Sequence, residues 1–133
     1  MAVLFRLQQD NRKNAQHKGY WYPRTINTGT IETEELASII QRNCSMKRSD
    51  VYAVLIELGE VLQDLLQASH RVRLEGIGSF KIGFSSRGSE TPETFSPHKH
   101  VKNLHVIFTP ELQQDEQGKH TKALLNGCEM KKL

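Results

Sequence analysis

Three histidines that lie close together are the side chains in this sequence best suited to bind a metal ion: His98, His100 and His105. Imidazole nitrogens are common zinc ligands, and the ligands of one site must converge on one point. On a single strand His98 and His100 share a face, but His105 falls on the other. We therefore expect no metal site, and we interpret the histidines as polar groups near an anion, partly protonated below neutral pH.

The sequence carries no pattern of a known catalytic site. It has no G-x-S-x-G, no P-loop and no H-E-x-x-H, and neither Cys44 nor Cys128 has a histidine at a recognised nucleophile signature. We expect a protein that is not an enzyme and that needs neither a cofactor nor a small-molecule substrate. The two cysteines also match no disulfide framework and no zinc spacing, which favours a reducing compartment.

Composition points to one small domain. The chain has 133 residues, of which 37% are apolar and 7% aromatic, enough for a modest core or for a subunit that completes its core against a second copy. No apolar run approaches the roughly 18 residues of a membrane span. Arg6 interrupts the segment 1–7, which also lacks a signal cleavage site, so we expect the mature chain to begin near Met1. We predict a cytoplasmic protein that does not contact a membrane.

Charge is segregated along the chain although the net charge is only +3. Residues 1–30 hold five Lys or Arg against one acid, residues 31–68 hold three against seven, residues 69–109 hold six against three, and the remainder holds four of each. Two basic stretches thus flank an acidic one. They could contact a polyanion or simply solvate exposed faces, and both interpretations stay open.

Apolar spacing predicts a pair of helices in the acidic region. The first begins at Thr33 as N-cap and ends near Asn43 or Cys44, with an apolar stripe at Leu36, Ile39 and Ile40. The second has a broader apolar face, formed by Val51, Val54, Leu55, Leu58, Val61, Leu62, Leu65 and Leu66. Because one short helix and a small sheet cannot cover this face, we predict a homodimer. The alternative is that the N-terminal segment covers the surplus within a monomer.

The pattern then changes to the period of two that is typical of strands. Val72 and Leu74 alternate with polar residues, Gly76-Ile77-Gly78 forms a corner, and the alternation resumes through Phe84 and again at Leu104, Val106 and Phe108. Between these strands, residues 85–100 are polar and contain two prolines, which predicts a projecting arm. Pro110 would open a last helix carrying Leu112, Leu124 and Leu125.

The first thirty residues are predicted to form two strands and a basic loop. Val3, Phe5 and Leu7 alternate, and Tyr20-Trp21-Tyr22 leads into Thr25-Ile26. Aromatic residues in strands are more often part of a core. Together with Lys18 and Arg24, however, these three could form a stacking platform for single-stranded nucleic acid.

The order of elements and the motif Leu74-Glu75-Gly76-Ile77-Gly78-Ser79-Phe80 resemble the HU and integration host factor family of bacterial architectural DNA-binding proteins, from about Thr33 to Leu125. The resemblance implies an α+β fold: an intertwined homodimer with a helical base and antiparallel β-ribbon arms, here with extra N-terminal strands. It divides the chain into a β extension at 1–32, an HU-like domain at 33–127 with its arm at 85–100, and a C-terminal tail at 128–133.

The resemblance also implies which residues touch DNA. Members embrace a duplex through its minor groove, and a proline near the arm tip inserts between base pairs and bends it. The corner at Gly76, Gly78 and Ser79 would lie against the phosphate backbone, and Pro92, which stands between Glu90 and Glu93, would be the wedge, with Pro97 as the alternative. The phosphate-binding cations would be Lys47, Arg48, Lys81, Arg87, Lys99 and Lys102.

These expectations combine into one functional prediction with open alternatives. The prediction is a nucleoid-associated, homodimeric protein that binds and bends double-stranded DNA with little sequence specificity and does no chemistry. The alternatives are a protein-interaction module on the same fold, a single-stranded nucleic-acid binder using the N-terminal aromatic residues, and a site-specific bender, whose shape readout leaves no local signature in the protein sequence.

Overall fold

The computed structural model describes residues 1–133, and it confirms the mixed helix and strand composition. The helices are α1 (Thr33–Asn43), α2 (Arg48–Gln67) and the short α3 (Pro97–His100). The strands are β1 (Val3–Gln9), β2 (Trp21–Thr25), β3 (Val72–Leu74), β4 (Gly78–Ser86), β5 (Val101–Pro110), β6 (Leu112–Gln114), β7 (His120–Lys122) and β8 (Met130–Lys132). Single 3₁₀ turns occupy Pro92–Thr94 and Ala123–Leu125.

The predicted helical pair is present, and its two helices pack on each other. The N-cap of α1 is Glu32 rather than Thr33, and no side chain caps the helix, so the cap prediction was wrong. Only three apolar residues of the whole chain are buried, Ala37, Val51 and Leu66, and all three lie on α1 or α2. The core of a single chain is therefore very small.

A three-stranded antiparallel sheet in the order β3-β4-β5 follows the helices. Its long part is the pair β4 and β5, which extends from Gly78 opposite Pro110 to Ser86 opposite Val101. We call this pair the ribbon. The C-terminal end of α2 borders it, since Leu66 and Gln67 line one groove together with Ile82 and Phe84.

The segment predicted as a projecting arm, 85–100, is only partly extended. Ser85 and Ser86 belong to β4, and residues 87–100 connect the two ribbon strands through the 3₁₀ turn and α3. Thr91 caps this turn, its hydroxyl accepting the Thr94 N–H, and the Phe95 ring stacks on His100 with ring centroids 5.0 Å apart. The free end of the ribbon thus has local structure of its own.

The predicted last helix is wrong. Residues after Pro110 form a β6–β7 hairpin, in which Gln113 lies opposite Thr121. One Asp115 carboxylate oxygen accepts the backbone N–H groups of Gln117 and Lys119, and Gly118 has a φ of 79°. Such a side-chain-to-backbone turn ends a strand and reverses the chain.

The N-terminal residues form a second sheet, in the order β2-β1-β8. The two predicted strands are antiparallel, and the third strand, β8, pairs in parallel with β1. Residues 130–132, predicted to be part of a tail, are therefore a sheet strand. The expectation that the N-terminal aromatic residues belong to a core is also wrong within this chain, because Tyr20 and Trp21 are 61% and 60% exposed.

Candidate nucleic-acid interface

The ribbon has one basic face. On β4, Lys81 alternates with the apolar residues on either side of it, and His105 lies opposite Gly83 on that same face. The alternation continues from Ser85 to Arg87, which therefore lies on the same face. The Arg87 N–H donates to the His100 carbonyl at 2.8 Å and so extends the pairing of the two strands by one hydrogen bond. We call Lys81, Arg87, Lys102 and His105 the basic face. Neither ribbon strand contains an Asp or Glu.

A β-bulge brings Lys102 onto this face. The strand register is regular up to the pair of Gly83 with His105, but Ser85 lies opposite Lys102 rather than Asn103. Asn103 has a φ of 54°, in the left-handed region, and marks the extra residue. Without the bulge, Asn103 would lie opposite Ser85 and Lys102 would point to the opposite face.

The opposite face of the ribbon is apolar and largely uncovered. We call Phe80, Ile82, Phe84, Val106 and Phe108 the apolar face. Phe80 and Phe108 pack together with ring centroids 5.1 Å apart, yet Phe84 and Val106 are 56% and 59% exposed. Three of its residues, Ile82, Phe84 and Val106, line an open groove of about 800 Å³ together with the end of α2 and with Lys81 and His105 at its edge.

The glycine corner divides into an exposed turn and a buried support. Ile77 donates its N–H to the Leu74 carbonyl at 3.0 Å, and Gly76 takes a φ of 81°, which favours glycine. Gly78 and Ser79 are buried, and a Cβ atom on Gly78 would stand 2.4 Å from the Thr109 carbonyl oxygen. The exposed part of the corner is therefore Glu75 to Ile77.

Glu111 holds this corner in place. Its carboxylate accepts hydrogen bonds from Arg73 Nε at 3.0 Å and from the Gly76 N–H at 3.3 Å, and its own N–H donates to the Ile77 carbonyl at 3.1 Å. The hydrogen bond from Arg73 is the main cause that lowers the pKa of the Glu111 carboxyl. Sequence reasoning missed this residue, which it placed in a helix, because its partners lie more than thirty positions away.

The structure does not bring all the predicted cations together. Lys47 and Arg48 lie at the start of α2, about 27 Å along the helix from Leu66 and the ribbon. Lys99 lies on α3 at the free end of the ribbon. Pro92 is exposed there as the first residue of the 3₁₀ turn, next to Glu93.

Other kinds of site are not evident. No group of three or more His, Cys, Asp or Glu side chains is arranged to hold a metal ion. None of the helices combines the length and the apolar character needed to cross a membrane. Both cysteines are free thiols at the surface.

A two-helix base carrying an amphipathic β-ribbon is the class of structure that these observations define. Residues 1–124 match the family model described as HU domain fused to wHTH, Ig, or glycine-rich motif. The chain therefore belongs to this HU-HIG family, and the predicted HU relationship is confirmed.

A solved structure with a TM-score above 0.5 shares this fold. A protein of Bacteroides vulgatus, described as a candidate bacterial DNA-binding protein, has a TM-score of 0.63 and 15% identity, over 99% of this chain and 48% of its own. This chain thus spans about half the length of that protein. HU of Anabaena, crystallised with DNA, has a TM-score of 0.41 and 20% identity, over 59% of this chain and 84% of its own. No curated protein matches the sequence.

Proposed function

We propose that this chain is an architectural DNA-binding protein of the nucleoid, which as a homodimer binds and bends double-stranded DNA with little sequence specificity. The observation that carries the proposal is the basic face of the ribbon. It offers Lys81, Arg87 and Lys102 without a carboxylate on either strand. Such a surface fits phosphates of any sequence, since backbone contacts position a protein but do not read bases.

Dimer formation is supported by what a single chain leaves uncovered. The apolar face of the ribbon and several apolar residues of α2, such as Val54 and Val61, are exposed to solvent. Apolar side chains exposed next to each other, as Ile82, Phe84 and Val106 are on the ribbon, are typical of a protein interface. A second copy that covers it would leave the basic face outward, and two ribbons could then hold one duplex from both sides.

The glycine corner, Pro92 and the remaining cations would each contact a different part of the DNA. The exposed turn at Gly76 would lie along the phosphate backbone, with Gly78 and Ser79 supporting it from beneath. Pro92, exposed at the free end of the ribbon, would be the wedge that enters the minor groove. Lys99 would bind phosphate beside it, and Lys47 with Arg48 would do so at the far end of α2.

Duplex binding at several salt concentrations tests the proposal. Replacing Lys81 and Lys102 together by Gln should weaken binding to all duplex sequences alike. It should also make the slope of log K against log salt shallower by about 1.8, because each lost phosphate contact removes about 0.9. The matched control is the double variant Lys119→Gln, Lys122→Gln in the β6–β7 hairpin, which removes the same charge away from the ribbon. Equal losses in both variants would contradict a role for the basic face.

Bending is tested with the same wild-type protein. A nicked or kinked duplex should bind more tightly than a linear one, because less additional energy is needed to bend it. Equal affinities for the two fragments would remove bending from the proposal and leave phosphate binding.

A second candidate function is a protein-interaction module. It is favoured by Glu90 and Glu93, which are exposed on both sides of Pro92 and would be repelled by phosphates. This candidate predicts no duplex binding even at low salt, whereas the proposed function predicts binding that becomes tighter as salt is lowered.

A further inference from the structure

The N-terminal sheet presents a second basic face, away from the ribbon. Arg6 lies directly opposite Arg24 in the β1–β2 pair, and Gln8 lies opposite Tyr22, so these four side chains share one face. Lys131 joins them from β8, where it pairs with Leu4. We call Arg6, Gln8, Tyr22, Arg24 and Lys131 the N-terminal basic face.

The cations of this face form no salt bridge within the chain, although Asp10 lies near Arg24: the pKa of Asp10 is lowered mainly by the hydrogen bond from Arg12 and to a smaller extent by the charge of Arg24. Arg6, Arg24 and Lys131 make no ion pair, and like charges directly opposite each other destabilise a sheet. The one acid of the first thirty residues, Asp10, is held by Arg12 through contacts of 2.9 and 3.0 Å. Glu129 comes immediately before β8, where its carbonyl accepts the Val3 N–H at 2.8 Å, and its carboxylate forms no salt bridge with Lys131. An external polyanion would relieve the repulsion between the two arginines.

An exposed aromatic ring lies among these cations. Tyr22 is 40% exposed, and it borders an open groove of about 830 Å³ together with Gln8, Arg24 and the ion pair of Asp10 with Arg12. Next to this strand, the ring of Tyr20 stacks on His17 with centroids 5.0 Å apart and remains mostly exposed. Exposed rings beside arginines are the combination on which unpaired bases stack while phosphates bind.

We propose that the N-terminal basic face binds single-stranded nucleic acid. The bases of a duplex are already stacked on each other and cannot lie on Tyr22, whereas those of a single strand can. Arg6 and Arg24, which form the neighbouring cross-strand pair on this face, bind phosphates beside the stacked base. The proposal goes beyond duplex binding by the ribbon and does not depend on it, because the two surfaces share no residue.

The register also divides the three neighbouring aromatic residues. Trp21 lies opposite Gln9, on the face that carries Leu7 and Pro23, and so points away from the N-terminal basic face. A single platform made of all three rings would need both faces at once. Trp21 is therefore the matched aromatic control for Tyr22.

The test measures fluorescence anisotropy of labelled oligothymidine, which cannot pair with itself, and of a labelled duplex, with the full chain at several salt concentrations. The variant Tyr22→Leu should raise the Kd for oligothymidine between about 5-fold and 150-fold, the effect of losing one base stack. Trp21→Leu should leave that Kd unchanged. The double variant Arg6→Gln, Arg24→Gln should make the salt slope for the single strand shallower by about 1.4.

Duplex binding separates this proposal from the previous one. The N-terminal variants should keep wild-type duplex affinity, while Lys81→Gln, Lys102→Gln should lose duplex affinity and keep that for oligothymidine. The single-strand proposal is overturned if wild type does not bind oligothymidine, or if Trp21→Leu weakens oligothymidine binding as much as Tyr22→Leu does. It is also overturned if Lys119→Gln, Lys122→Gln weakens single-strand binding as much as the arginine variant. Far-UV circular dichroism of each variant identifies any that fails to fold, and Tyr22→Phe, which keeps the ring, should then retain binding.

Discussion

Substituting Gly78 by alanine should destabilise the fold rather than act on DNA binding. A Cβ atom at this position would stand 2.4 Å from the carbonyl oxygen of Thr109 and 2.5 Å from the Phe108 ring. The ring can turn, but the carbonyl belongs to the β5 backbone that pairs with β4 at this point. The clash with the Thr109 carbonyl can be relieved only if β4 and β5 separate at the point where Glu111 holds the corner.

The loss in free energy of unfolding depends on which atoms the new methyl group meets. Overpacking in a closed site destabilises proteins by about 1–3 kcal/mol, and we place Gly78→Ala at the upper end, at about 2–3 kcal/mol, because a backbone atom blocks the new methyl group. With a urea m-value of about 2 kcal/mol/M, the unfolding midpoint should fall by roughly 1–1.5 M. The assay is urea unfolding followed by circular dichroism at a fixed protein concentration, since dimer formation would make the midpoint depend on concentration.

Gly88→Ala is the matched control, because no atom lies within 4 Å of a Cβ atom built at that position. Its midpoint should stay close to that of wild type. The reasoning is refuted if Gly78→Ala unfolds at the wild-type midpoint while duplex affinity falls. That result would mean that the glycine is needed for the approach of a DNA backbone and not for packing.

Two further predictions concern assembly and pH. Val106→Glu places a charge in the apolar face and should shift the protein from dimer to monomer in size-exclusion chromatography with light scattering; an unchanged dimer mass would show that this face is not the interface. Because the folded-state pKa of Glu111 is lowered from its ordinary value of 4.5, its contribution to stability is fully present above that value and is lost as pH falls below it and through the lower pKa of the folded state. Glu111→Gln should therefore be less stable than wild type at neutral pH, and its stability should decline less in acid. Parallel pH profiles from urea unfolding would contradict the role given to the Arg73–Glu111 pair.

Elements with a repeated local pattern could be predicted from the sequence. The apolar spacing of α2 and the alternation through Phe80, Ile82 and Phe84 each extend over several repeats, and the structure has a helix and a strand there. The prediction of a last helix failed because Leu112 lies twelve positions before Leu124, and the residues between them form no apolar stripe. Asp115 and Gly118, which form a turn, were the better signal.

The candidate site was predictable by residue type but not by arrangement. The sequence shows that Lys81 and Lys102 are basic, but only the bulge at Asn103 places them on one face. It likewise cannot show that Arg6 lies opposite Arg24 or that Glu111 binds Arg73, because such contacts depend on strand register and on partners far along the chain. The separation of Trp21 from Tyr22 is a further result of register alone.

The pairing of β8 with β1 has a consequence for the order in which the protein folds. Val3 lies beside Met130, so this contact joins the two ends of the sequence. Contacts of such long range form late, since the whole intervening chain must first be brought together. During synthesis the β1–β2 hairpin emerges before β8, and β1 presents an unpaired edge until β8 has left the ribosome. The completed N-terminal sheet can thus serve as a marker that translation has passed β8.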